Sequence, residues 1–279
     1  MRLYERLTAT AGVSFEGELI ESRQTPFQLI EIFQTEALGK LMRIDGANMT
    51  SERDEFLYHE ALVHPAAICH PSPRTVLIIG GGDGGAAEEI LKHPSITRVV
   101  LAEIDGGVIE MAKKHLSLVH RDIFANPKLA VHLCDGAAFV RASEARFDLV
   151  YLDLTDPIGV AEALYTQHFY TDCKRVLHKH GALILHLGAP FFHAPRVTAT
   201  LTHLRATFSV VTAYFVPIPS YGATWGFAVA SDTLNPHHSN ASQIDALLAE
   251  RRIGERQYYC GETHRAMLAL PPYIKAMIG

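Results

Sequence analysis

Hydrophobic and polar residues in the first 60 positions follow the pattern of β strands. Residues 27–34 are rich in β-branched and aromatic side chains, with partial alternation of apolar and polar positions. Residues 38–44 form a second run of this kind, and Asp45-Gly46 directly after it is typical of a turn. We therefore expect two or three β hairpins in this part of the chain.

Beyond residue 75 the pattern changes to short apolar runs that alternate with helical segments. Strands are predicted at 76–79, 99–102, 129–133, 147–152 and 182–185. Helices are predicted at 86–92, 107–115 and 167–177. Strands and helices that alternate at these lengths predict a parallel, doubly wound α/β sheet of the Rossmann-like type.

A proline-containing stretch separates these two regions. Residues 64–73 contain several prolines, which favour a loop or a boundary between domains. The 279 residues are enough for one large domain and a smaller one, at about 150 residues per domain. The sequence thus predicts an N-terminal β domain at 1–60 and a Rossmann-like domain at 61–279, which would carry the site.

Acidic residues stand at the ends of three predicted strands. Glu103 ends the second strand, Asp135 follows the third, and Asp153 ends the fourth. Ligands of open α/β sheets bind beyond the carboxyl ends of the strands. We therefore expect these three carboxylates to share one site at this edge of the sheet.

A glycine-rich run, Gly80 to Gly85, lies between the first of these strands and a helix. Glycines such as Gly80 and Gly82 let the backbone approach a ligand closely. Glu103, at the end of the next strand, occupies the usual place of a carboxylate that binds ribose hydroxyls. Asp83, inside the run, would repel a pyrophosphate but attract an amino group. The run predicts a nucleoside ligand with a cationic group, and a tight turn with an exposed acid is the alternative.

Two further acidic motifs follow along the chain. Asp135-Gly136 could accept a hydrogen bond from an adenine amino group, or could form an ordinary Asp-Gly turn. Asp153 and Asp156 lie three residues apart, just before a proline that disfavours helix at Asp156. Both carboxylates can point into one cleft, and a helix cap or a solvated turn is the alternative.

Charge and cysteine content narrow the function classes. The chain has 25 basic and 30 acidic residues and a formal net charge of −5, which argues against nucleic acid as a partner. The four cysteines form no CxxC pair, so neither a disulfide framework nor a zinc site of the usual spacing is expected. No apolar run is long enough to predict a membrane span. We expect a cytoplasmic protein.

Together these motifs resemble those of the polyamine aminopropyltransferases, and of bacterial spermidine synthases in particular. The resemblance rests on Gly80 to Gly85, Glu103-Ile104-Asp105, Asp153 to Pro157, Tyr58-His59-Glu60, Asp45-Gly46, residues 51–56, Phe169-Tyr170, Tyr258-Tyr259 and Ala269-Leu270-Pro271. It spans nearly the whole chain. It implies an N-terminal β domain before a methyltransferase-like Rossmann domain, assembled as a homodimer or homotetramer.

The resemblance also implies which residues bind the donor. Gln28 and Glu103 would hold the ribose or thioether end of a nucleoside. Asp135 and Gly136 would lie at the adenine. The donor implied is decarboxylated S-adenosylmethionine, used as a co-substrate, so no tightly bound cofactor is expected.

On the acceptor side, the resemblance implies that Asp83 and His59 line the site for the transferred chain and the amine. Asp153 matches the general base of the family. The residues implied to position or line the acceptor are Tyr58, Asp156 and Tyr221. The acceptor would be a diamine, with putrescine expected, and the products would be spermidine and 5′-methylthioadenosine.

Three positions depart from the family pattern. Val160 stands where a proline is usual, in the loop that would cover the site, and His186 stands where many relatives have glutamine at the end of the fifth strand. Residues 220–227 look one residue short. His186 and His193 could face the acceptor or be structural. These departures leave the implied reaction class unchanged and bear on the choice of diamine.

The implied reaction explains why acids gather at the site. As a sulfonium donor alkylates a neutral amine, positive charge moves from sulfur to nitrogen, and a carboxylate beside that nitrogen stabilises the transition state more than the ground state. Asp153 is the predicted base that takes the proton of the amine. No metal is expected, because the leaving thioether is neutral.

Two alternatives remain open from the sequence. An S-adenosylmethionine-dependent methyltransferase shares the sheet and the carboxylate after the second strand, but Asp83 and the pair Asp153 and Asp156 count against it. A non-catalytic polyamine-binding or nucleoside-binding protein of the same fold is the other. The complete set of acids counts against that alternative.

Overall fold

The computed structural model describes residues 1–157 and 159–279, and the side chains of residues 159 and 160 are also outside the description. The predicted effect of Val160 on the acceptor therefore lies outside the described residues. Two β sheets and the helices packed on them make up the described chain.

The N-terminal sheet, within the described residues, is antiparallel and has its strands in chain order. These strands are β1 (Arg2–Arg6), β2 (Gly12–Gln24), β3 (Leu29–Thr35), β4 (Gly39–Ile44) and β5 (Ala47–Ser51). Alternation along β3 sends Ile30 and Ile32 to the face that packs on Val108 and Met111, while Phe33 joins a small cluster on the other face. The predicted hairpins are confirmed, and their inner face lies against the second domain.

The second sheet has the order β11-β12-β10-β9-β6-β7-β8 in the described chain. Its strands are β6 (Thr75–Gly80), β7 (Arg98–Glu103), β8 (Leu129–Leu133), β9 (Phe147–Asp153), β10 (Leu177–Gly188), β11 (Val210–Ile218) and β12 (Ala223–Ser231). The five predicted strands correspond to β6–β10, and they pair in parallel. The Rossmann-like fold class is confirmed.

The sheet as a whole is mixed rather than parallel, because β12 inserts antiparallel between β10 and β11. Only a short 3-10 turn, Pro219–Tyr221, separates β11 from β12. A connection of this length cannot make the crossover that parallel strands need, so these two strands must pair antiparallel. The pattern of the first five strands did not predict them.

Helices cover both faces of the second sheet. They are α1 (Glu55–Cys69), α2 (Gly85–Leu91), α3 (Gly106–His115), α4 (Ser117–His120), α5 (Gly136–Ala142), α6 (Gln167–Arg175), α7 (Ala194–Thr207), α8 (Ala241–Glu250), α9 (Gly261–Leu268) and α10 (Pro272–Ile278), with 3-10 turns at Ile123–Ala125, Gly159–Tyr165, Pro219–Tyr221 and Pro236–His238. One apolar core lies under α1, α2, α8 and α9, and the other lies under α5, α6, α7 and α10.

Helix α1 corrects the predicted loop at 64–73, because it continues through Pro65 to Cys69. A proline inside a helix cannot donate to the carbonyl four residues earlier, which here is that of Ala61. The Tyr214 hydroxyl donates to the Ala61 carbonyl instead, at 2.9 Å, so the buried acceptor is satisfied. The helix lies on the second sheet and spans residue 60. We therefore propose that the domains divide at 52–54, between β5 and α1.

Strand register brings the predicted acids together. Gly80 at the end of β6 pairs with Asp153 at the end of β9. On the other side of β6, β7 ends at Glu103, which pairs with Leu133 at the end of β8. The carboxyl ends of these four strands therefore form one edge of the sheet. The N-terminal sheet, which packs on α3, covers this edge.

Candidate active site

A cavity of about 1040 Å³, measured with its open mouth, lies at the carboxyl edge of the second sheet. Among its lining residues are eleven of the predicted site residues: Gln28, Tyr58, His59, Gly80, Gly82, Asp83, Glu103, Asp135, Gly136, Asp153 and Tyr221. The twelfth, Asp156, lines an adjoining cavity of about 1050 Å³. Tyr58 and Tyr221 line both cavities, so the two spaces meet at these rings.

One end of the first cavity carries Glu103, which is buried. The backbone N–H of Asp105 donates to its Oε1 at 2.9 Å, and Oε2 faces the glycine run near Gly82. Burial raises the pKa of Glu103 to about 7, although backbone hydrogen bonds oppose the shift. A ligand hydroxyl that donates to Oε2 would stabilise the ionised form, which suits the predicted contact with a ribose.

Gln28 reaches this end of the cavity from the N-terminal sheet. Its Nε2 donates to Asp105 Oδ2 at 3.0 Å, and the Thr25 hydroxyl donates to the same oxygen at 2.7 Å. Asp105 also caps α3 by accepting from the Gly107 N–H at 2.9 Å. The Gln28 amide is thereby oriented, and its carbonyl oxygen remains available to a ligand hydroxyl.

Asp135 caps a helix at the edge of the cavity, which neither sequence reading of Asp135-Gly136 predicted. Its Oδ1 accepts from the Ala138 N–H at 2.9 Å at the start of α5. The residue also lines the cavity next to Gly136. One carboxylate oxygen is used by the cap, and the other is available for an exocyclic amino group.

The centre of the site is a charged cluster of Asp83, His59 and Asp153. One ligand-type atom from each of these residues lies within 4.8 Å of the others. His59 Nδ1 contacts Glu55 Oε2 at 2.8 Å, and His59 Nε2 contacts Asp83 Oδ2 at 3.5 Å. Burial opposes protonation, but the carboxylates of Asp83 and Glu55 outweigh it and raise the pKa of His59 well above its ordinary value. The ring is therefore an imidazolium between two carboxylates.

The glycine run makes room for this imidazolium. Gly85 lies so close to the His59 ring that a Cβ at this position would overlap it. The Gly85 N–H also donates to Asp83 Oδ1 at 3.0 Å. Burial acts against the charge of Asp83, but the His59 charge and the Gly85 hydrogen bond prevail and lower the pKa of Asp83. Asp83 is thus ionised inside the cavity.

Asp153 lies beside this pair, and its pKa is shifted in the opposite direction to that of Asp83. Burial and the nearby charge of Asp83 raise the pKa of Asp153 to about 6, against the effect of His59 and of a hydrogen bond. That bond comes from the Tyr58 hydroxyl, which donates to Asp153 Oδ1 at 3.0 Å. Burial raises the pKa of Tyr58 well above its ordinary value, so Tyr58 remains a donor. Asp153 is ionised at neutral pH and is still a stronger base than an ordinary aspartate.

The cluster suits an organic cation. His59 Nδ1 lies 2.8 Å from Glu55 and Nε2 lies 3.5 Å from Asp83. Arg121 also pairs with Glu55, at 3.2 Å. The three acids Glu55, Asp83 and Asp153 exceed the two positive charges of His59 and Arg121, so the centre has a net negative charge that an ammonium or sulfonium ligand would balance.

The second cavity contains acids and aromatic rings. Asp156 lines this second cavity, which joins the one that Asp153 lines, and its Oδ2 pairs with Arg196 Nη1 at 2.8 Å. Glu5, from β1, lines the same cavity. Burial raises the pKa of Glu5 to about 7, and the charge of Asp156 adds to the shift. Sequence reasoning missed both Glu5 and Arg196, because neither stands in a motif that sets it apart from surface charges.

His186 and Tyr221 form part of the wall of the second cavity, on the side of β10 and β12. His186 Nε2 donates to the Leu154 carbonyl at 2.9 Å, and its ring stacks on Trp225 at a centroid distance of 5.8 Å. Burial lowers the pKa of His186, so the ring is neutral. The Tyr221 hydroxyl donates to the Met49 carbonyl at 2.6 Å. The turn that departs from the family pattern therefore places Tyr221 against the N-terminal sheet.

Comparisons with known proteins agree with this geometry. A family model described as the spermine/spermidine synthase domain matches residues 55–240. A polyamine aminopropyltransferase of Nitrosomonas europaea is 46% identical over 261 residues, which is 94% of this chain and 80% of that protein. Polyamine aminopropyltransferase 2 of Hyperthermus butylicus is 38% identical over 257 residues, 91% of this chain and 84% of that protein.

Solved structures show the same likeness. A spermidine synthase in complex with the transition-state analogue AdoDATO superposes with a TM-score of 0.93 at 33% identity, over 100% of this chain and 95% of that one. The spermidine synthase from Thermotoga maritima gives a TM-score of 0.92 at 33% identity, over 100% of this chain and 94% of that one. The chain belongs to the spermine/spermidine synthase family.

Membership of this family sets the class of reaction. The protein is an enzyme of the aminopropyltransferase class, like the polyamine aminopropyltransferases and spermidine synthases it resembles. The resemblance seen in the sequence motifs is thereby confirmed. None of the helices in the described residues is long and apolar enough to cross a membrane.

Proposed function

We propose that the enzyme transfers the aminopropyl group of decarboxylated S-adenosylmethionine to a diamine, with putrescine as the preferred acceptor, and releases spermidine and 5′-methylthioadenosine. The observation that carries this proposal is the joined pair of cavities. One holds Glu103, Gln28 and Asp135 for a nucleoside, and the other is lined by acids for an amine. Asp153 lines the first cavity and is hydrogen-bonded to Tyr58, which lines both.

The chemical step needs one base and no oxidant. The neutral amine nitrogen attacks the methylene carbon bound to the sulfonium, a C–N bond forms, and the C–S electron pair returns to sulfur to leave a neutral thioether. The amine nitrogen loses one proton, and Asp153 takes it. With a pKa near 6, Asp153 is ionised at pH 7.5 and can accept that proton.

Asp83 supports the choice of the decarboxylated donor. The aminopropyl chain would pass this ionised carboxylate, and its ammonium group would be attracted. Intact S-adenosylmethionine has a carboxylate on the same chain, which Asp83 would repel at close range. Repulsion of this kind also argues against methyl transfer from the intact cofactor.

The test uses the purified protein with decarboxylated S-adenosylmethionine and a panel of linear diamines of three to six carbons. Mass spectrometry should detect 5′-methylthioadenosine and the matching triamine, with the highest kcat/KM for the four-carbon diamine. Parallel reactions with intact S-adenosylmethionine test methyl transfer. Methylated amines from the intact cofactor, or no product with any diamine, would contradict the proposal.

The predicted homodimer or homotetramer stays a prediction. Exposed apolar side chains on the outer strands of the N-terminal sheet, among them Tyr4 and Leu19, give it a surface on which to form. Light scattering of the purified protein measures the subunit number directly. A monomer at micromolar concentration would show that the prediction is wrong.

A further inference from the structure

The 3-10 turn Pro219–Tyr221 places Tyr221 where the two cavities meet. The turn joins two strands of the second sheet, but it lies against the N-terminal sheet. Gly222 follows it with φ of +62°, and a Cβ there would overlap Val13 of β2. The position of Tyr221 therefore depends on contacts that come from the N-terminal sheet.

Asn48, on β5, connects this turn to the N-terminal sheet through its side chain. It is buried, and its Nδ2 donates to the Ser220 carbonyl at 2.8 Å. Its Oδ1 accepts from Arg43 Nε at 3.0 Å, and Arg43 is its cross-strand partner on β4. Because a guanidinium only donates and a carbonyl only accepts, the two partners fix the orientation of the amide. An apolar side chain in this place would leave both buried partners unpaired.

The bond from Asn48 fixes the peptide that leads into Tyr221. The Ser220 N–H, which belongs to the preceding peptide, donates to Asp54 Oδ2 at 2.7 Å. The carbonyl that Asn48 binds belongs to the next peptide, between Ser220 and Tyr221. The Tyr221 ring then lies with its centroid 4.7 Å from that of Trp225 in the second cavity. Loss of the Asn48 bond would release the peptide that sets the direction of Tyr221.

The backbone of Asn48 supports the same cavity. Its N–H donates to Glu5 Oε2 at 2.8 Å, and Glu5 lines the second cavity. A carboxyl oxygen can accept this bond in either charge state, so the contact does not depend on the charge of Glu5. In the part of the chain that the structure describes, Asn48 lines the second cavity and not the first.

From this geometry we infer that Asn48 is a positioning residue for the amine acceptor, which acts through the 219–221 turn to hold Tyr221 at the junction of the two cavities. The inference rests on the proposed function, in which the second cavity binds the diamine. Without the bond to Ser220 the turn is freer to move. Ordering this wall then costs free energy each time the amine binds, so the amine should bind more weakly.

The test is Asn48→Leu, which has nearly the same size and forms neither hydrogen bond. We expect the KM for putrescine to rise at least about ten-fold, the order expected when buried hydrogen-bond partners are left unpaired. The KM for decarboxylated S-adenosylmethionine and the kcat at saturating putrescine should stay within about three-fold of wild type. The reason is that the residues proposed to hold the donor do not contact Asn48.

The single tryptophan of the chain gives a readout that needs no turnover. Trp225 is 7% exposed and packs against Tyr221. In Asn48→Leu its fluorescence should shift to longer wavelength, because a displaced Tyr221 ring lets water reach the indole. Titration with putrescine in the presence of 5′-methylthioadenosine, followed by the same fluorescence, measures the loss of amine affinity directly.

Thr35→Val is the matched control for stability. Thr35 is another buried side chain of the N-terminal sheet that bridges two backbone groups, the Leu38 N–H and the Gly39 carbonyl, each at 2.9 Å. It lies outside both cavities. This variant should lower the thermal midpoint and leave both the KM for putrescine and the Trp225 fluorescence unchanged.

Asn48→Asp keeps the test possible if Asn48→Leu does not fold. Aspartate has the same shape and still accepts from Arg43, which balances the added charge. It cannot donate to the Ser220 carbonyl, so the KM for putrescine should again rise. A purely electrostatic role in the cavity would have the opposite sign, because an extra carboxylate attracts a cationic amine.

The outcomes are distinguishable. An active wild type with an unchanged KM for putrescine in folded Asn48→Leu or Asn48→Asp would overturn the role of Asn48 and leave the proposed function intact. Equal rises in KM for the amine and the donor would show a general effect and would also overturn it. A higher KM with unchanged Trp225 fluorescence would mean that Asn48 does not act through the turn. A wild type that transfers to none of the linear diamines would overturn the proposed function, and the role of Asn48 with it.

Discussion

Asp153→Asn gives the sharpest test of how the amine is activated. Asparagine has nearly the same shape, and its amide oxygen can still accept the hydrogen bond that Tyr58 donates at 3.0 Å. The substitution removes only the ability to take a proton and the negative charge beside the nucleophile. We expect the fold and the donor site to survive and the transfer rate to fall.

The size of the loss follows from the protonation of the amine. A primary amine with a pKa of about 10.4 is neutral to about one part in 10³ at pH 7.5. Asp153 takes the proton as the nitrogen becomes more acidic during bond formation to the sulfonium carbon, and a positioned base of this kind contributes roughly 10²–10⁴-fold in rate. Without it, only the neutral amine from solution reacts. The deficit of Asp153→Asn should therefore lie at roughly 10²–10⁴-fold at pH 7.5 and shrink at higher pH, as the neutral fraction of the amine grows.

The assay is the pH dependence of kcat/KM for the diamine from pH 5 to pH 10, measured as release of 5′-methylthioadenosine. For wild type, the rate should rise with pH until Asp153 ionises, near pH 6, and then stay level until the amine itself loses its proton. For Asp153→Asn the break near pH 6 should be absent, and the rate should keep rising to about pH 10. Asp232→Asn, an exposed acid paired with Lys174 outside both cavities, is the control and should match wild type.

A profile of Asp153→Asn that matches wild type would refute the base role. So would a wild-type rate that rises steadily from pH 6 to pH 10, because that enzyme would be using neutral amine from solution. Loss of activity through misfolding is recognised separately, by calorimetric binding of 5′-methylthioadenosine, which should stay within about two-fold of wild type because asparagine keeps the shape of the side chain.

The pH dependence of thermal stability tests the raised pKa of Asp153 independently of activity. The pKa of Asp153 is raised to about 6 in the fold, so the folded protein holds this proton more tightly than the unfolded chain. This group therefore reduces the free energy of unfolding as pH rises from about 4 to 6. Asp153→Asn removes that cost, and its thermal midpoint at pH 7.5 should be equal to or above wild type, with no gain at pH 4. A midpoint several degrees lower at pH 7.5 would contradict the electrostatic account.

Three further outcomes follow from the same cluster. Asp83→Asn should narrow the difference in affinity between decarboxylated and intact S-adenosylmethionine, measured by calorimetry, and an unchanged difference would remove Asp83 from donor selection. Glu55→Gln should lower the pKa of His59, and the loss of the positive charge on His59 should raise the pKa of Asp153. The break in the pH profile of kcat/KM, near pH 6 in wild type, should therefore move to higher pH in this variant. A break at the wild-type pH would contradict this account. Chelator should leave kcat unchanged, and a loss restored by a divalent metal would show that the cluster of His59, Asp83 and Asp153 binds metal.

Local patterns in the sequence were sufficient for much of the fold. Short apolar runs between helical segments identified β6 to β10, because a strand covered by helices on both faces presents apolar residues on both. The glycine run and the acids at the strand ends located the cavity proposed to hold the donor, since the ends of parallel strands meet at one edge. Glu103, Asp135 and Asp153 needed only this rule to be placed together.

The same patterns failed where a partner far along the chain decides the outcome. Pro65 is typical of a helix end, yet α1 continues because Tyr214, 153 residues away from Ala61, satisfies the carbonyl that the proline leaves unpaired. The position of β12 between β10 and β11 likewise depends on the assembled sheet. Propensity describes only local preferences, and tertiary contacts override it at such positions.

The sequence by itself determined the proposed donor end and the central acids, because their positions follow from strand ends and short motifs. The charges around the proposed acceptor end were decided by the tertiary structure. The motif places Asp156 three residues after Asp153, but it does not show that Arg196, forty residues later in the chain, pairs with Asp156. Glu5 enters that cavity from a different domain. Whether a carboxylate is free, paired or buried depends on which distant side chains the folded chain places around it, and no local pattern contains that information.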